Sequence, residues 1–293
     1  MIQELAQYRT AALLGSYAGE CAPALRAGVY EAMGHIAAGG DPEHYTAQVQ
    51  QHTASSNVPF SRWEPTPVAE EAVQRRVDLQ IAYGTISPSE LQGRQDSDDA
   101  FRGGGSITYL VNKETAQPVV IKDAPAADLA DRVKSVETRL NTLLPGQGIA
   151  GFEQAFCVRY DTGTTGSEFL PGKSLALLTP DDLRAIQPEH LGRLAQTVRK
   201  VSERGIFLDF FGVGCNINFH AEPGFGIYDA LGTGAPDEAW VLNAQALLVT
   251  VRGLGGLIRE GLPRLVQPEL EQLQARFVSD VVAAEPQLAN FLH

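Results

Sequence analysis

Several short segments carry groups that could handle phosphate. Arg102-Gly103-Gly104-Gly105-Ser106 is a glycine cluster that opens an apolar, β-type run. With no side chains in the way, its backbone N–H groups can approach phosphate oxygens, although such clusters are commonly plain turns. Lys122 ends the run Pro118-Val119-Val120-Ile121, one hairpin after that loop. An ammonium there is well placed to meet phosphates; an edge lysine that snorkels to water has the same pattern. Glu137 lies beside an apolar helical face, next to Val136. An acid there can pair with Lys122 and fix its ammonium, or remain a solvated helix charge. Asn216 and Asp229 border the short apolar runs Ile217–Phe219 and Gly226–Tyr228. An amide oxygen and a carboxylate converging there would make a magnesium site of oxygen ligands. Magnesium bridging phosphates is the usual way to neutralise charge in phosphoryl transfer.

The elements that must position these groups follow from periodicity and breakers. Residues 1–94 read as helical. Leu5, Tyr8, Ala11, Leu13 and Leu14 form a rough stripe that Gly15 and Gly19 should end or weaken. Ala24–Ala38 is a second segment, closed by Gly39-Gly40; Asp41-Pro42 and Thr66-Pro67 are helix starts, and Ser87-Pro88 suggests one more short helix. Gln95–Asp99 is a polar, acidic break and a boundary. Beyond it, Ser106–Val111 and Pro118–Lys122 read as strands joined by a turn over Asn112–Gln117. Asp128–Leu144 turns helical, with Leu129, Val133, Val136, Leu140 and Leu143 on one face. Phe152–Tyr160 and Thr165–Leu170 read as two more strands, Thr179-Pro180 and Gln187-Pro188 as helix starts, and the chain from Asp237 onward as helix.

In this order and spacing, the segments resemble the protein-kinase-like superfold, which includes protein kinases and the aminoglycoside and choline phosphotransferases. The resemblance runs from about Phe101 to about Gly234, somewhat under half of the chain. GGGSITYLV is similar to the nucleotide-covering glycine loop, and PVVIK to the third-strand element whose lysine, here Lys122, grips phosphates. Glu137 falls where the helix-C glutamate is expected. Glu168-Phe169-Leu170-Pro171-Gly172-Lys173-Ser174-Leu175 resembles the hinge of small-molecule phosphotransferases, whose backbone holds adenine. The separation of Asn216 from Asp229 matches that between the catalytic-loop asparagine and the metal-binding aspartate. It favours Asn216 over Asn218, which strand alternation puts on the same face. The resemblance implies ATP held by Gly103, Gly104, Gly105, Ser106, Lys122, Glu168 and Leu170, and magnesium held by Asn216 and Asp229.

The chain also departs from that pattern. The family runs Asp-Leu-x-x-x-Asn through its catalytic loop, and the position of that aspartate is Phe211 here. The nearest carboxylate is Asp209, two residues earlier. Either a two-residue insertion around Gly212-Val213-Gly214 leaves Asp209 as the base, or Asp209 is structural and the base is lost. The first is preferred, because glycines make such a bulge sterically cheap. Ala230-Leu231-Gly232 follows Asp229 in place of Phe-Gly, with little room for an activation loop before Ala235-Pro236-Asp237-Glu238, which reads as a helix start.

Composition sets the outer limits. The 293 residues carry a formal net charge of −12, with 44% hydrophobic residues. An acidic chain without a basic run is a poor partner for nucleic acid or an anionic membrane. Three distant cysteines, without CxxC, give no disulfide framework or zinc site. No spanning helix or signal peptide is visible, so a cytoplasmic protein is expected, with export as an effector by a route lacking a cleavable signal left open. The expectation is an α+β, two-lobed kinase-like fold: a helical N-terminal extension over 1–95, an antiparallel-sheet N-lobe over 96–172 and a helical C-lobe over 173–293. Its expected activity is ATP- and magnesium-dependent phosphotransfer by an atypical kinase. Asp209, Lys122 and Glu137 are the expected catalytic residues. A protein hydroxyl is the preferred acceptor over a small molecule; a pseudokinase scaffold and adenylyl transfer are the alternatives.

Overall fold

The computed structural model describes residues 2–83, 91–95, 106–112, 118–124, 128–210, 216–220, 224–254 and 265–292. The Gly103–Gly105 cluster, the turn over 113–117, the Ser87-Pro88 helix start and the Gly212–Gly214 insertion lie outside the described residues.

Proline stands first in several of the described helices, because its missing N–H would be unsatisfied there anyway. Helix α1 spans Ile2–Glu20, α2 Arg26–Ala37, α3 Pro42–His52 and α4 Pro67–Tyr83. The Asp41 side chain caps α3 by accepting the Glu43 N–H at 3.0 Å. The chain then enters strands β1 (Leu91–Gln95), β2 (Ser106–Asn112) and β3 (Pro118–Asp123). Helix α5 (Leu129–Leu143), capped by Asp128, precedes β4 (Ala155–Arg159) and β5 (Thr164–Glu168). These strands form one antiparallel sheet in the order β1-β2-β3-β5-β4. Strand β1 corrects the helical reading of residues 1–94, and it makes the PVVIK run the third strand. Alternation was hidden there because Leu91-Gln92-Gly93-Arg94-Gln95 is mostly polar.

The chain forms two compact units. The first comprises residues 1–144 and 155–168; the second comprises 145–154 and 169–293. The helical extension expected over 1–95 therefore shares a unit with the sheet. One apolar core joins them, running from Tyr8, Leu14 and Tyr17 on α1 through Val29, Met33 and Ile36 on α2 to Val133, Val136 and Leu140 on α5 and Val158 on β4. Helix α1 also continues through Gly15 and Gly19, which were expected to end or weaken it.

The second unit contains β6 (Lys173–Ser174), α6 (Pro180–Ala185), α7 (Pro188–Glu203), β7 (Ile206–Leu208), β8 (Ile217–His220), β9 (Gly224–Ile227), β10 (Ala230–Thr233), α8 (Pro236–Gly253) and α9 (Gln267–Ala284). Two small antiparallel sheets form, in the orders β6-β8-β9 and β10-β7. They sit with an apolar core that includes Leu191, Leu194 and Val198 of α7, Leu247 and Val251 of α8, and Phe277 and Val281 of α9. The protein is thus α+β, and among the described residues no helix is long and apolar enough to cross a membrane.

Candidate functional site

In the second unit, the structure gathers Asp209, Asn216 and Asp229. Asp209 follows β7, Asn216 precedes β8 and Asp229 lies just past β9. The Asn216 side-chain amide donates to the Asp209 carbonyl at 3.1 Å. A carbonyl only accepts, so the atom facing it must be the nitrogen. The carboxamide oxygen is thereby turned away, and it takes no hydrogen bond among the described residues. The Asn216 carbonyl in turn accepts the Tyr228 N–H at 3.0 Å, which brings Asp229 alongside. Asp229 is exposed and has φ +70°. That left-handed conformation is uncommon outside glycine, though aspartate and asparagine tolerate it best, and such residues cluster at functional sites.

Asn218 has a different environment. It is buried, donating to the Leu170 carbonyl at 3.0 Å and accepting from the Tyr228 hydroxyl at 3.0 Å. Both ends of its amide are engaged internally, whereas among the described residues the Asn216 oxygen is not. The same bond occupies a backbone carbonyl of the expected adenine hinge. Glu168 is exposed at the end of β5, and the chain passes from the first unit to the second between Glu168 and Phe169. Lys173 of that segment instead grips Asp182, at 2.9 and 2.8 Å from its two oxygens. Burial pushes the Asp182 carboxyl upward, but Lys173 and the Thr179 capping bonds hold it below the usual range.

Two residues that the sequence did not flag support the gathered set. Asn243 on α8 is buried, accepting the Leu208 N–H at 2.9 Å and donating to Ile206 O at 2.8 Å and Ser202 Oγ at 2.9 Å. It fixes β7 immediately ahead of Asp209. Glu153 is only 2% exposed and accepts the Asp229 N–H at 3.3 Å. Neither has a local sequence signature, since one lies in a helix and the other in a loop.

In the first unit, Lys122 is half-buried on β3, the central strand of the sheet, opposite Ile107 and Thr165. Ser106 begins β2 opposite Asp123. The expected Lys122–Glu137 pair does not form. Glu137 is fully buried and turned to the helical extension, where Arg76 on α4 lies 3.3 Å from Oε2 and the Tyr160 hydroxyl donates to Oε1 at 2.5 Å. Arg76 is fixed in turn by Ser16 Oγ at 2.9 Å and Asn141 Oδ1 at 2.7 Å. Burial pushes the Glu137 carboxyl up, with Arg76 and the Tyr160 hydrogen bond pulling it back. Burial opposes the charge on Arg76, but Glu137 and the neighbouring tyrosines outweigh it and keep the guanidinium protonated. The α5 side chain that does reach β3 is Arg139, which donates to the Lys122 carbonyl at 2.9 Å and the Asp123 carbonyl at 3.4 Å.

An amide oxygen and a carboxylate are ligand types that magnesium accepts. Magnesium keeps several waters and takes one or two protein oxygens beside substrate phosphates. Asn216 Oδ1 and the Asp229 carboxylate are of these types, on residues whose main chains the Tyr228 N–H to Asn216 O bond brings near each other. Among the described residues there is no group of three or more His, Cys, Asp or Glu able to hold a metal by itself. Compared with models of known protein families, the chain matches none. No curated protein matches it either.

Proposed function

We propose that the chain is an ATP- and magnesium-dependent phosphotransferase of the protein-kinase-like type. One observation carries this reading: Asn216 is anchored on the Asp209 main chain with its oxygen left over, beside an Asp229 held in a left-handed conformation. The strand–strand–strand–helix–strand–strand order of the first unit, with Lys122 on the central strand, supports it.

In this reading Lys122 binds the phosphates, and Asn216 and Asp229 hold magnesium, which neutralises charge on the transferring group. Asp209 orients the acceptor hydroxyl and takes its proton. The acceptor oxygen then forms a bond to the γ-phosphorus as the bond to the bridging oxygen of ADP breaks. ADP leaves, and the proton passes from Asp209 to solvent. A base in a loose transition state mainly positions the nucleophile, so a displaced Asp209 can still serve. A protein hydroxyl is the preferred acceptor, because the added N-terminal helices and the short C-terminal helical part fit an atypical protein kinase; the short span after Asp229 and the EFLPGKSL segment favour a small-molecule hydroxyl instead. The adduct, phosphate or AMP, is read by mass spectrometry of the labelled acceptor.

The test is magnesium-dependent ATP binding and transfer by the purified chain, with Lys122→Ala and Asp229→Ala as controls. Each substitution should lower transfer by at least 100-fold, roughly 2.7 kcal/mol at the transition state. Transfer left intact by both overturns the reading. A second reading, a nucleotide-binding scaffold without turnover, draws on the loss of the Lys122–Glu137 pair to Arg76. It predicts ATP binding with no adduct.

A further inference from the structure

Glu153 belongs to Pro145–Gln154, a stretch that joins the second unit although it lies in sequence between α5 and β4 of the first. This stretch is tied to β9 along its main chain. Phe152 forms a parallel bridge with Ile227, Glu153 N donates to Ile227 O at 2.9 Å, and Ile227 N donates to Gly151 O at 2.7 Å. Thr197 Oγ1 on α7 donates to Ala150 O at 2.9 Å. The backbone of Glu153 is therefore fixed two residues from the metal-ligand candidate, and its carboxylate reaches the Asp229 N–H at 3.3 Å.

A carboxylate only 2% exposed is costly to bury unless its oxygens are used. Asp229 has the opposite character: its side chain is exposed, while its backbone sits at φ +70°. A left-handed residue at a strand end persists only when its surroundings over-determine it. A buried side-chain oxygen that accepts its N–H, on a residue whose own backbone is tied to β9, is such a constraint.

We infer that Glu153 is a positioning residue that holds Asp229 in the conformation needed to offer its carboxylate to a divalent cation. This inference rests on the reading of Asp229 as a metal ligand. Glu153 touches neither substrate nor metal in this role; it acts through the Asp229 main chain.

The test uses the full chain, with Glu153→Gln and Glu153→Ala. Glu153→Gln keeps the shape and an acceptor oxygen, whereas Glu153→Ala removes both. The first readout is amide hydrogen exchange at Asp229 by NMR. The second is Mn²⁺ affinity in the presence of a non-hydrolysable ATP analogue, by electron paramagnetic resonance. Glu153→Ala should speed Asp229 exchange and weaken Mn²⁺ binding, each by at least ten-fold, with the Ile227 amide still protected. Glu153→Gln should recover most of both. Unchanged exchange and affinity in Glu153→Ala overturn the inference, as does equal loss of Ile227 protection, which would mark general unfolding. A wild-type chain that binds no Mn²⁺ but shows Glu153-dependent exchange overturns the metal reading of Asp229 and leaves Glu153 as its backbone anchor. The two failures are thereby distinct.

Discussion

Asn216 and Asn218 show how one residue type serves two roles two positions apart. Strand alternation places both on the same face, and in the sequence only the spacing to Asp229 separates them. Their partners separate them further: Asn218 spends its amide on Leu170 O and the Tyr228 hydroxyl, whereas among the described residues Asn216 spends only its nitrogen, on Asp209 O. Asn218→Ala should therefore orphan buried groups and cost about 1–3 kcal/mol in denaturant unfolding. Asn216→Ala should leave the unfolding midpoint within about 0.5 kcal/mol of wild type while lowering magnesium-dependent transfer at least ten-fold. Equal stability loss in both variants would contradict this division. Lys122, Asn216 and Asp229 could be nominated because each borders a short apolar run. Glu153 was not, because its role exists only once the 145–154 segment lies against β9.

At the scale of elements, helix α5 has its expected span and face but an unexpected partner. Its apolar face was readable, and Val133, Val136, Leu140 and Leu143 are all buried. The partner of its buried acid was not readable, because Arg76 lies 61 residues away in sequence and only packing brings the two together. Breaking a buried pair by removing one partner strands a charge, at about 3–5 kcal/mol. Arg76→Met should show that loss in urea unfolding. A second variant probes the same network from α1. A Cβ at Gly15 would lie 2.5 Å from Glu137 Cδ, and Arg76 and Tyr160 both resist the carboxylate's retreat. Gly15→Ala gains about 1 kcal/mol of helix propensity, against about 1–3 kcal/mol of overpacking. A net loss of stability is expected; a gain would show that Glu137 moves freely. Glycine in this helix marks a close approach, not the end or weakening that sequence periodicity suggested.

The whole molecule is organised by the two units, and the boundary is not where composition changes. Residues 1–83 share a core with β4 and α5, and the buried Arg76–Glu137–Tyr160 cluster crosses from one to the other. A chain lacking residues 1–83 should therefore lose the folded sheet unit as well as four helices. Removal exposes the apolar face of α5 and leaves the Glu137 charge without its guanidinium. The expected outcome is aggregation, or a circular dichroism spectrum and thermal transition accounted for by the second unit alone. A truncated chain that remains monomeric and melts with the sheet intact would show the helices to be an independent extension.

By itself, the sequence determined most of the described helices, the strands around Lys122 and the α+β class, although it read β1 as helix, and it nominated residues whose chemistry suits phosphate and magnesium. These properties rest on short-range physics: periodicity, capping and the chemistry of each side chain. Tertiary structure alone decided which partner each of those residues has. It gave Glu137 to Arg76 instead of Lys122, reserved Asn218 for the backbone and left an oxygen of Asn216 over, and set Glu153 beneath Asp229. A buried polar group must satisfy itself with whatever the packed chain brings within reach, and that neighbour is commonly tens of residues away along the sequence.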